Sequence, residues 1–461
     1  MRGWGGVALA LALAVALAAC KASTRQKREG DAAPADIVAA PIYTDGGTTS
    51  HGGAAGGPTA DEVEPNDGAD TATPLTLGGG VRGTLGLDGD VDYFRLDVSE
   101  AGVLAITLPA VDADLAVELL DPSLKSIARS DRAGKRGEEG IPDVGVAPGR
   151  YTVVVRGKKP PAVKVVPAKP PRTKRGKHPA KGKPADVGVP PAPVAAPASA
   201  MPGVAYELTA ALVTPAAGAE HEPNDDRGTA AELIVGETVT GYLGWTGDVD
   251  TWKLSVEALG ATNVLDLEAT AVDGLTLTLE VADALGKPVA TRRGAKGAAV
   301  VAAGLGLAVA AGAPPFVYVT VKSDRSNPVT TYSLRATEKP AVEDADREPN
   351  DTPERAMEFP ADRVEVTGTW AIGDVDYFAV PPSDAARTLE ATLDTQDRAD
   401  FAIELLVDDK SIAKGDGGTG HAAHVSGPVP AGARALLRVR ASDASAPATY
   451  SVKLHDAPAA P

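Results

Sequence analysis

Phe94, Leu96 and Val98 alternate with Arg95 and Asp97, the period-2 pattern of a strand with one buried face. Trp252, Leu254 and Val256 repeat the pattern against Lys253 and Ser255, and Leu275, Leu277 and Leu279 against Thr276 and Thr278. Further short apolar segments are Val103–Leu108, Leu115–Leu120, Tyr151–Val155, Ala205–Leu212, Phe401–Val407, Leu436–Val439 and Tyr450–Leu454. Turn signals at Asp121-Pro122, Ala133-Gly134 and Pro148-Gly149 punctuate the earliest of them. Phe316–Val321 followed by Tyr332–Leu334 predicts a closing hairpin, and Val300–Val309 a buried strand and turn. No segment carries a sustained helical stripe. Many short strands at this spacing predict an all-β chain of antiparallel sandwiches.

Those strands recur behind a paired signature. Glu64-Pro65-Asn66-Asp67 precedes Gly89-Asp90-Val91-Asp92-Tyr93-Phe94. Glu222-Pro223-Asn224-Asp225 precedes Gly247-Asp248-Val249-Asp250-Thr251-Trp252, and Glu348-Pro349-Asn350-Asp351 precedes Gly373-Asp374-Val375-Asp376-Tyr377-Phe378. In each copy 26 positions separate the Glu from the first Asp of the second half. A fixed offset used three times means one structural unit used three times. The expected domains are residues 61–213, 214–338 and 339–456, with a short tail at 457–461.

The start of the chain predicts export. A basic head at Met1-Arg2 and an apolar run from Val7 to Leu17 suit a signal-peptide core and are too short to span a bilayer. Leu17-Ala18-Ala19-Cys20 resembles the lipobox of bacterial lipoproteins. That resemblance implies removal of residues 1–19, acylation (palmitate-type chains) of Cys20, and anchoring by lipid in one leaflet. Lys21 rather than Asp after the cysteine favours the bacterial outer membrane, with the membrane face open. Cys20 is the only cysteine, so disulfides do not brace the exported protein. Residues 20–60, rich in Ala, Gly and Thr, read as a flexible tether. Lys21, Arg25, Lys27 and Arg28 stand where they would meet anionic headgroups or simply water.

Composition narrows the class. The net charge is −17 and aromatics are only 4%, with abundant Gly and Pro, which suits exported, loop-rich β domains better than a large enzyme core. The acids are not spread evenly. Another carboxylate stands two residues before each signature Glu: Glu62, Glu220 and Asp346. Proline keeps the preceding residue extended, and extended chain points alternate side chains to one side, which aligns Glu62, Glu64 and Asn66. Asp90 and Asp92 share a side in the same way. Each repeat therefore offers five carboxylates and one amide: Glu62, Glu64, Asn66, Asp67, Asp90 and Asp92; Glu220, Glu222, Asn224, Asp225, Asp248 and Asp250; Asp346, Glu348, Asn350, Asp351, Asp374 and Asp376. Calcium takes about 6–8 oxygens of this kind, up to one ion per repeat, whereas zinc prefers His and Cys. The alternative is a metal-free turn and strand entrance, with Asn and Asp bonding local backbone.

The Glu-Pro-Asn-Asp opening, the Gly-Asp-x-Asp-Tyr-Phe strand and the Pro148-Gly149-Arg150-Tyr151 strand resemble the bacterial pre-peptidase C-terminal (PPC) domain, over nearly all of residues 61–456. The resemblance implies jelly-roll-like β-sandwiches that serve as binding or solubilising accessories, several of them calcium-binding. Such domains follow secreted proteases; no protease precedes the repeats here, so the repeats themselves are expected to carry the function. Collagen binding is not expected, because tyrosines are scarce.

One stretch breaks the repeat. Between Arg156 and Ala205 the first unit carries a Pro-rich insert, residues 157–203, holding Lys158, Lys159, Lys164, Lys169, Arg172, Lys174, Arg175, Lys177, Lys181 and Lys183 against the single acid Asp186. It cannot bury a core. It reads either as a spacer or as a basic arm for an anionic envelope polysaccharide or other polyanion. No aromatic residue lies between its basic ones, so nucleic acid is not an expected partner. Another surface protein is the alternative partner, and a monomer is expected. Catalysis has little support: the six histidines are scattered, and no nucleophile elbow, P-loop or zinc-protease helix occurs. The expected function is that of a non-catalytic cell-surface lipoprotein with adhesive or architectural modules. An anchored scaffold using the basic insert is the alternative, and a hydrolase the remote one. Trp245 and Trp370 read as framework packing or as sugar-stacking platforms.

Overall fold

The computed structural model describes residues 57–86, 90–132, 136–157, 203–260, 262–307, 312–362, 364–395, 397, 399–441 and 447–458. The signal, Cys20 with most of the tether, and the basic insert lie outside the described residues.

The first repeat forms ten strands: β1 (Thr59–Asp61), β2 (Thr73–Leu75), β3 (Gly79–Leu85), β4 (Val91–Val98), β5 (Gly102–Leu108), β6 (Leu115–Leu120), β7 (Ser126–Ser130), β8 (Glu139–Val146), β9 (Gly149–Gly157) and β10 (Val204–Val213). They make two five-stranded sheets, ordered β1-β3-β10-β5-β8 and β2-β4-β9-β6-β7. All pairs are antiparallel except the short entries β1–β3 and β2–β4. The alternation in β4 sets the layer between the sheets: Phe94 and Leu96 are fully buried and meet Leu104, Ile106, Val117 and Val153.

The second and third repeats follow the same plan. In the second, Thr238–Leu243, Asn327–Pro340, Asn263–Ala269 and Val300–Leu305 face Ala231–Leu233, Val249–Ser255, Phe316–Ser323, Leu277–Asp283 and Pro288–Arg293. In the third, Glu365–Trp370, Ala448–Pro458, Arg387–Asp394 and Ala423–Val429 face Met357–Glu358, Asp376–Val380, Ala435–Ala441, Phe401–Val407 and Lys410–Asp416. Each pair of sheets encloses its own hydrophobic cluster. Among the described residues the helical content is one 3₁₀ turn, Pro353–Arg355. The strands run to Thr59, Pro340 and Pro458, two residues past the limits set by the motifs, because backbone pairing fixes their ends.

The closing hairpin expected at Phe316–Val321 and Tyr332–Leu334 does not form. Phe316–Ser323 lies between Val249–Ser255 and Leu277–Asp283, whereas Asn327–Pro340 lies in the opposite sheet. Each strand thereby pairs along both edges. Their apolar residues, Val319 and Val321 against Tyr332 and Leu334, belong to one core instead of lying side by side. In the same way β9 and β10 occupy opposite sheets.

Edge strands are where neighbouring repeats meet. β8 ends its sheet, yet its residues are almost all buried. The second signature covers it: Val144 bridges Glu222, Gly145 N donates to Glu222 O (2.6 Å) and Glu222 N to Asp143 O (2.9 Å). Leu305, Gly306 and Gly304 meet Glu348 by the same three contacts at the next joint. An open edge is thus paired by the following repeat.

Candidate metal centre

The two halves of each signature are tied through backbone. Tyr93 N donates to Asn66 O (3.0 Å), Thr251 N to Asn224 O (3.0 Å) and Tyr377 N to Asn350 O (3.1 Å). The constant spacing of the halves serves this contact. The Glu64-Pro65, Glu222-Pro223 and Glu348-Pro349 bonds are all cis. Each Glu turns back on its own motif: Asn66 N, Asn224 N and Asn350 N donate to Glu64, Glu222 and Glu348 Oε2 at 2.8, 2.6 and 2.9 Å.

In the first repeat Glu62, Glu64 and Asp92 each bring one oxygen within 4.8 Å of the others. Buried Asn66 sits among them. With its Nδ2 toward Glu62 Oε2 (3.4 Å), its Oδ1 lies 3.3 Å from Asp92 Oδ1 and 3.2 Å from Glu64 Oε2. Either the amide is turned over so that its nitrogen meets both acids, or these oxygens face one another because a cation belongs between them. Asp67 and Asp90 fall outside this group. Asp67 is exposed, and Asp90 Oδ2 accepts from Gly86 N (2.6 Å).

The second repeat gathers the full expected set as two groups sharing one residue: Glu220, Glu222 and Asp250, and Glu222, Asp225 and Asp248. Asp248 Oδ2 accepts from Gly244 N (2.5 Å), and Asn224 Nδ2 donates to Glu220 Oε2 (2.6 Å). Glu222 Oε1, Asn224 Oδ1 and Asp248 Oδ1 are buried without a hydrogen-bond partner. The third repeat has the same pair of groups, Asp346, Glu348 and Asp376, and Glu348, Asp351 and Asp374. There, however, Arg292 of the second repeat enters. Its guanidinium contacts Glu348 Oε1, Asp374 Oδ1 (2.9 Å) and Asp351 Oδ1 (3.1 Å), and the side chain is 3% exposed.

Burial follows position in the chain. Glu64 is exposed, whereas Glu222 and Glu348 are 3% and 4% exposed. The later two are covered by the preceding repeat's edge strand; among the described residues nothing covers the first in that way.

A tyrosine closes the inner side of each site. Tyr206 Oη donates to Asp92 Oδ2, and Tyr450 Oη to Asp376 Oδ2 (2.6 Å). Tyr332 stands beside Asp250, its hydroxyl accepting from Trp252 Nε1 (3.0 Å). Gly83, Gly241 and Gly368 leave room for the three rings. A methyl carbon at Gly241 would lie 2.6 Å from Tyr332 Oη.

Burial makes these acids hard to ionise. It raises Asp92 to about 7 against the Tyr206 hydrogen bond, and the charges of Glu62, Asp90 and Glu64 act the same way. Burial raises Glu222 and Asp346 to about 7, and Asp374 to about 9 even beside Arg292. Glu220, Asp248, Asp250 and Asp376 are also raised, by burial first and then by a neighbouring carboxylate: Asp143 beside Glu220, Glu222 beside Asp248, Glu220 beside Asp250 and Asp374 beside Asp376. Arg292 is held charged: burial opposes its charge, but Glu348, Asp374 and Asp351 outweigh it. A multivalent cation would relieve the same cost in the first two repeats. The donors are all oxygen, the set that suits calcium or magnesium and not zinc.

The sequence-predicted residues therefore converge, apart from Asp67 and Asp90, but into two adjoining groups in the later repeats instead of a single spot. Five contributors lie outside the sequence-predicted set, three tyrosines, Asp143 and Arg292. The tyrosines carried a signal, since Tyr206, Tyr332 and Tyr450 stand at matching places in their strands. Asp143 and Arg292 carried none, because both come from the neighbouring repeat. Trp245 and Trp370 are not sugar platforms. Trp245 is 8% exposed and packs into the first repeat's core, and Trp370 is 3% exposed with Nε1 donating to Asp374 O (2.7 Å).

No protein-family model and no curated protein matches the chain. Among solved structures it is similar to the pre-peptidase C-terminal domain of collagenase from Bacillus anthracis, at 16% identity over 30% of this chain and 93% of that one, with a TM-score of 0.18. It is similar to PBSX exported protein XepA at 11% identity over 48% and 83% of the two chains, TM-score 0.15. A chain of Sulfolobus Turreted Icosahedral Virus aligns at 9% identity over 81% and 84%, TM-score 0.18. The first is the domain that the paired signature resembles. Likenesses this distant carry no functional argument, and the all-β sandwich fold rests on the sheets themselves.

Proposed function

We propose that this chain is a non-catalytic lipoprotein of the bacterial outer membrane, held by acylated Cys20, whose three sandwiches are calcium-stabilised binding or architectural modules. The observation that carries the calcium reading is the second repeat's site. Glu220, Glu222, Asp248 and Asp250 are buried together, and among the described residues no Arg or Lys pairs with any of them. Several buried carboxylates without a counter-charge are unfavourable unless they are protonated or hold a metal. Calcium would be held by the signatures' Glu, Asn and Asp oxygens, in the third repeat only by those that Arg292 does not contact, and would supply charge neutralisation and rigidity. No helix among the described residues is long and apolar enough to cross a membrane.

Calorimetry of the full chain with calcium and with chelator tests this. A higher melting temperature in calcium is expected, and superimposable traces would remove the calcium reading. The Lys-rich composition of residues 158–202 favours a second reading, an anchored scaffold for an anionic polymer. Deleting that segment should abolish salt-sensitive polyanion binding if the second reading holds and leave adhesion unchanged if the first does.

A further inference from the structure

The two joints between repeats share one backbone pattern but carry opposite charges. At the first joint the chain that pairs with Glu222 supplies Asp143, through the contact of Glu222 N with Asp143 O (2.9 Å). Asp143 is 6% exposed, and neither of its carboxylate oxygens has a hydrogen-bond partner. At the second joint the same backbone place belongs to Gly304, whose carbonyl accepts from Glu348 N (3.0 Å) and which brings no charge.

The sheet registers show a second exchange. Asp250 pairs with Val321, Val321 with Leu279 and Leu279 with Arg292. One repeat earlier, Asp92 pairs with Val155, Val155 with Val117 and Val117 with Ser130. Ser130 therefore holds in the first repeat the place that Arg292 holds in the second, and it is spent on Glu139, to which its hydroxyl donates (2.6 Å). The first joint thus has Asp143 and Ser130 where the second has Gly304 and Arg292. Among the described residues, one gains an acid and no base, and the other gains a base and no extra acid.

We propose that the two joints are closed by different cations: a divalent metal ion, to which Asp143 of the first repeat contributes, between repeats one and two, and the Arg292 guanidinium between repeats two and three. This rests on the calcium reading above and goes beyond it by making one site a shared product of two repeats. Arg292 spans Glu348, Asp351 and Asp374, the counterparts of Glu222, Asp225 and Asp248. It marks the spot where positive charge is required. Glu222 Oε1, Asn224 Oδ1, Asp248 Oδ1 and the carboxylate oxygens of Asp143 and Asp250, all buried and unpartnered, are left for the metal at the joint that lacks it.

Equilibrium dialysis of the full chain against Ca²⁺ alone, counting bound ions, tests the proposal. Asp143→Asn keeps the side chain's shape and removes its charge. Partners outside the metal's own ligands are already worth about 10–100-fold in affinity, so this variant should bind one ion about tenfold more weakly or worse and leave the others unchanged. Arg292→Met should bind one ion more than the wild type, and its melting temperature should become more calcium-dependent. Arg292→Gln, measured beside it, serves if the methionine variant does not fold. Unchanged affinities in Asp143→Asn, or no added ion in either folded Arg292 variant, would overturn the proposal while leaving calcium binding intact. A wild type that binds no Ca²⁺ would remove the calcium reading itself.

Discussion

Asp92 illustrates how one residue can be both a packing problem and a ligand. It is fully buried, bonded to Tyr206 and next to two other acids. Without a metal its proton is held more tightly folded than unfolded, at about 7 against an ordinary 3.8. The sign follows from linkage: the stabilisation is complete below the unfolded value and is lost as pH rises through the folded one. The chelated protein should therefore melt higher at pH 5 than at pH 8. In calcium the difference should shrink or reverse, because the metal takes the ionised form; thermal scans at both pH values measure it. Asp92→Asn or Glu64→Gln should cancel the calcium-dependent gain of the first repeat while leaving that of the second. Differential scanning calorimetry that showed the full gain in both variants would exclude these residues as ligands.

At the scale of elements, alternation along single strands was readable in the sequence. Leu115–Leu120 and Phe401–Val407 are strands with the expected limits. Layer assignment was not. Adjacent strands Phe316–Ser323 and Asn327–Pro340 have the same pattern whether they pair with each other or face each other across a core. Only the competition of all strands for pairing edges separates the two. The strand just before each second half also has a requirement that its pattern hides: a glycine under the tyrosine ring. Gly241→Ala should push Tyr332 and Glu220 apart and destabilise the second repeat by about 1–3 kcal/mol. Chemical denaturation followed by Trp252 fluorescence would report it, and an unchanged midpoint would mean that the ring has room to shift.

At the scale of the whole molecule, repeats are not independent beads. Trp245 belongs by sequence to the second repeat and by packing to the core of the first. Trp245→Ala should cost the first sandwich about 3–5 kcal/mol and the second much less. Hydrogen exchange resolved by peptide would locate the loss, and protection lost mainly in residues 263–340 would contradict the assignment. The same dependence explains why the three sites differ in burial despite matching motifs. The lid on the second and third comes from the preceding repeat, and among the described residues the first has no such cover.

Local chain chemistry was enough for the strands, their threefold recurrence and the acidic residues of the signatures, because periodicity and a fixed offset are properties of neighbouring positions. The split of the later sites into two groups and the contrast between Asp143 and Arg292 arose only in the folded chain. Glu222 and Asp143 lie far apart in sequence, as do Glu348 and Arg292, and an isolated acid or base in a strand says nothing of what will face it. Edge-strand pairing between successive repeats sets those partners, and with them the sign of the charge buried at each joint.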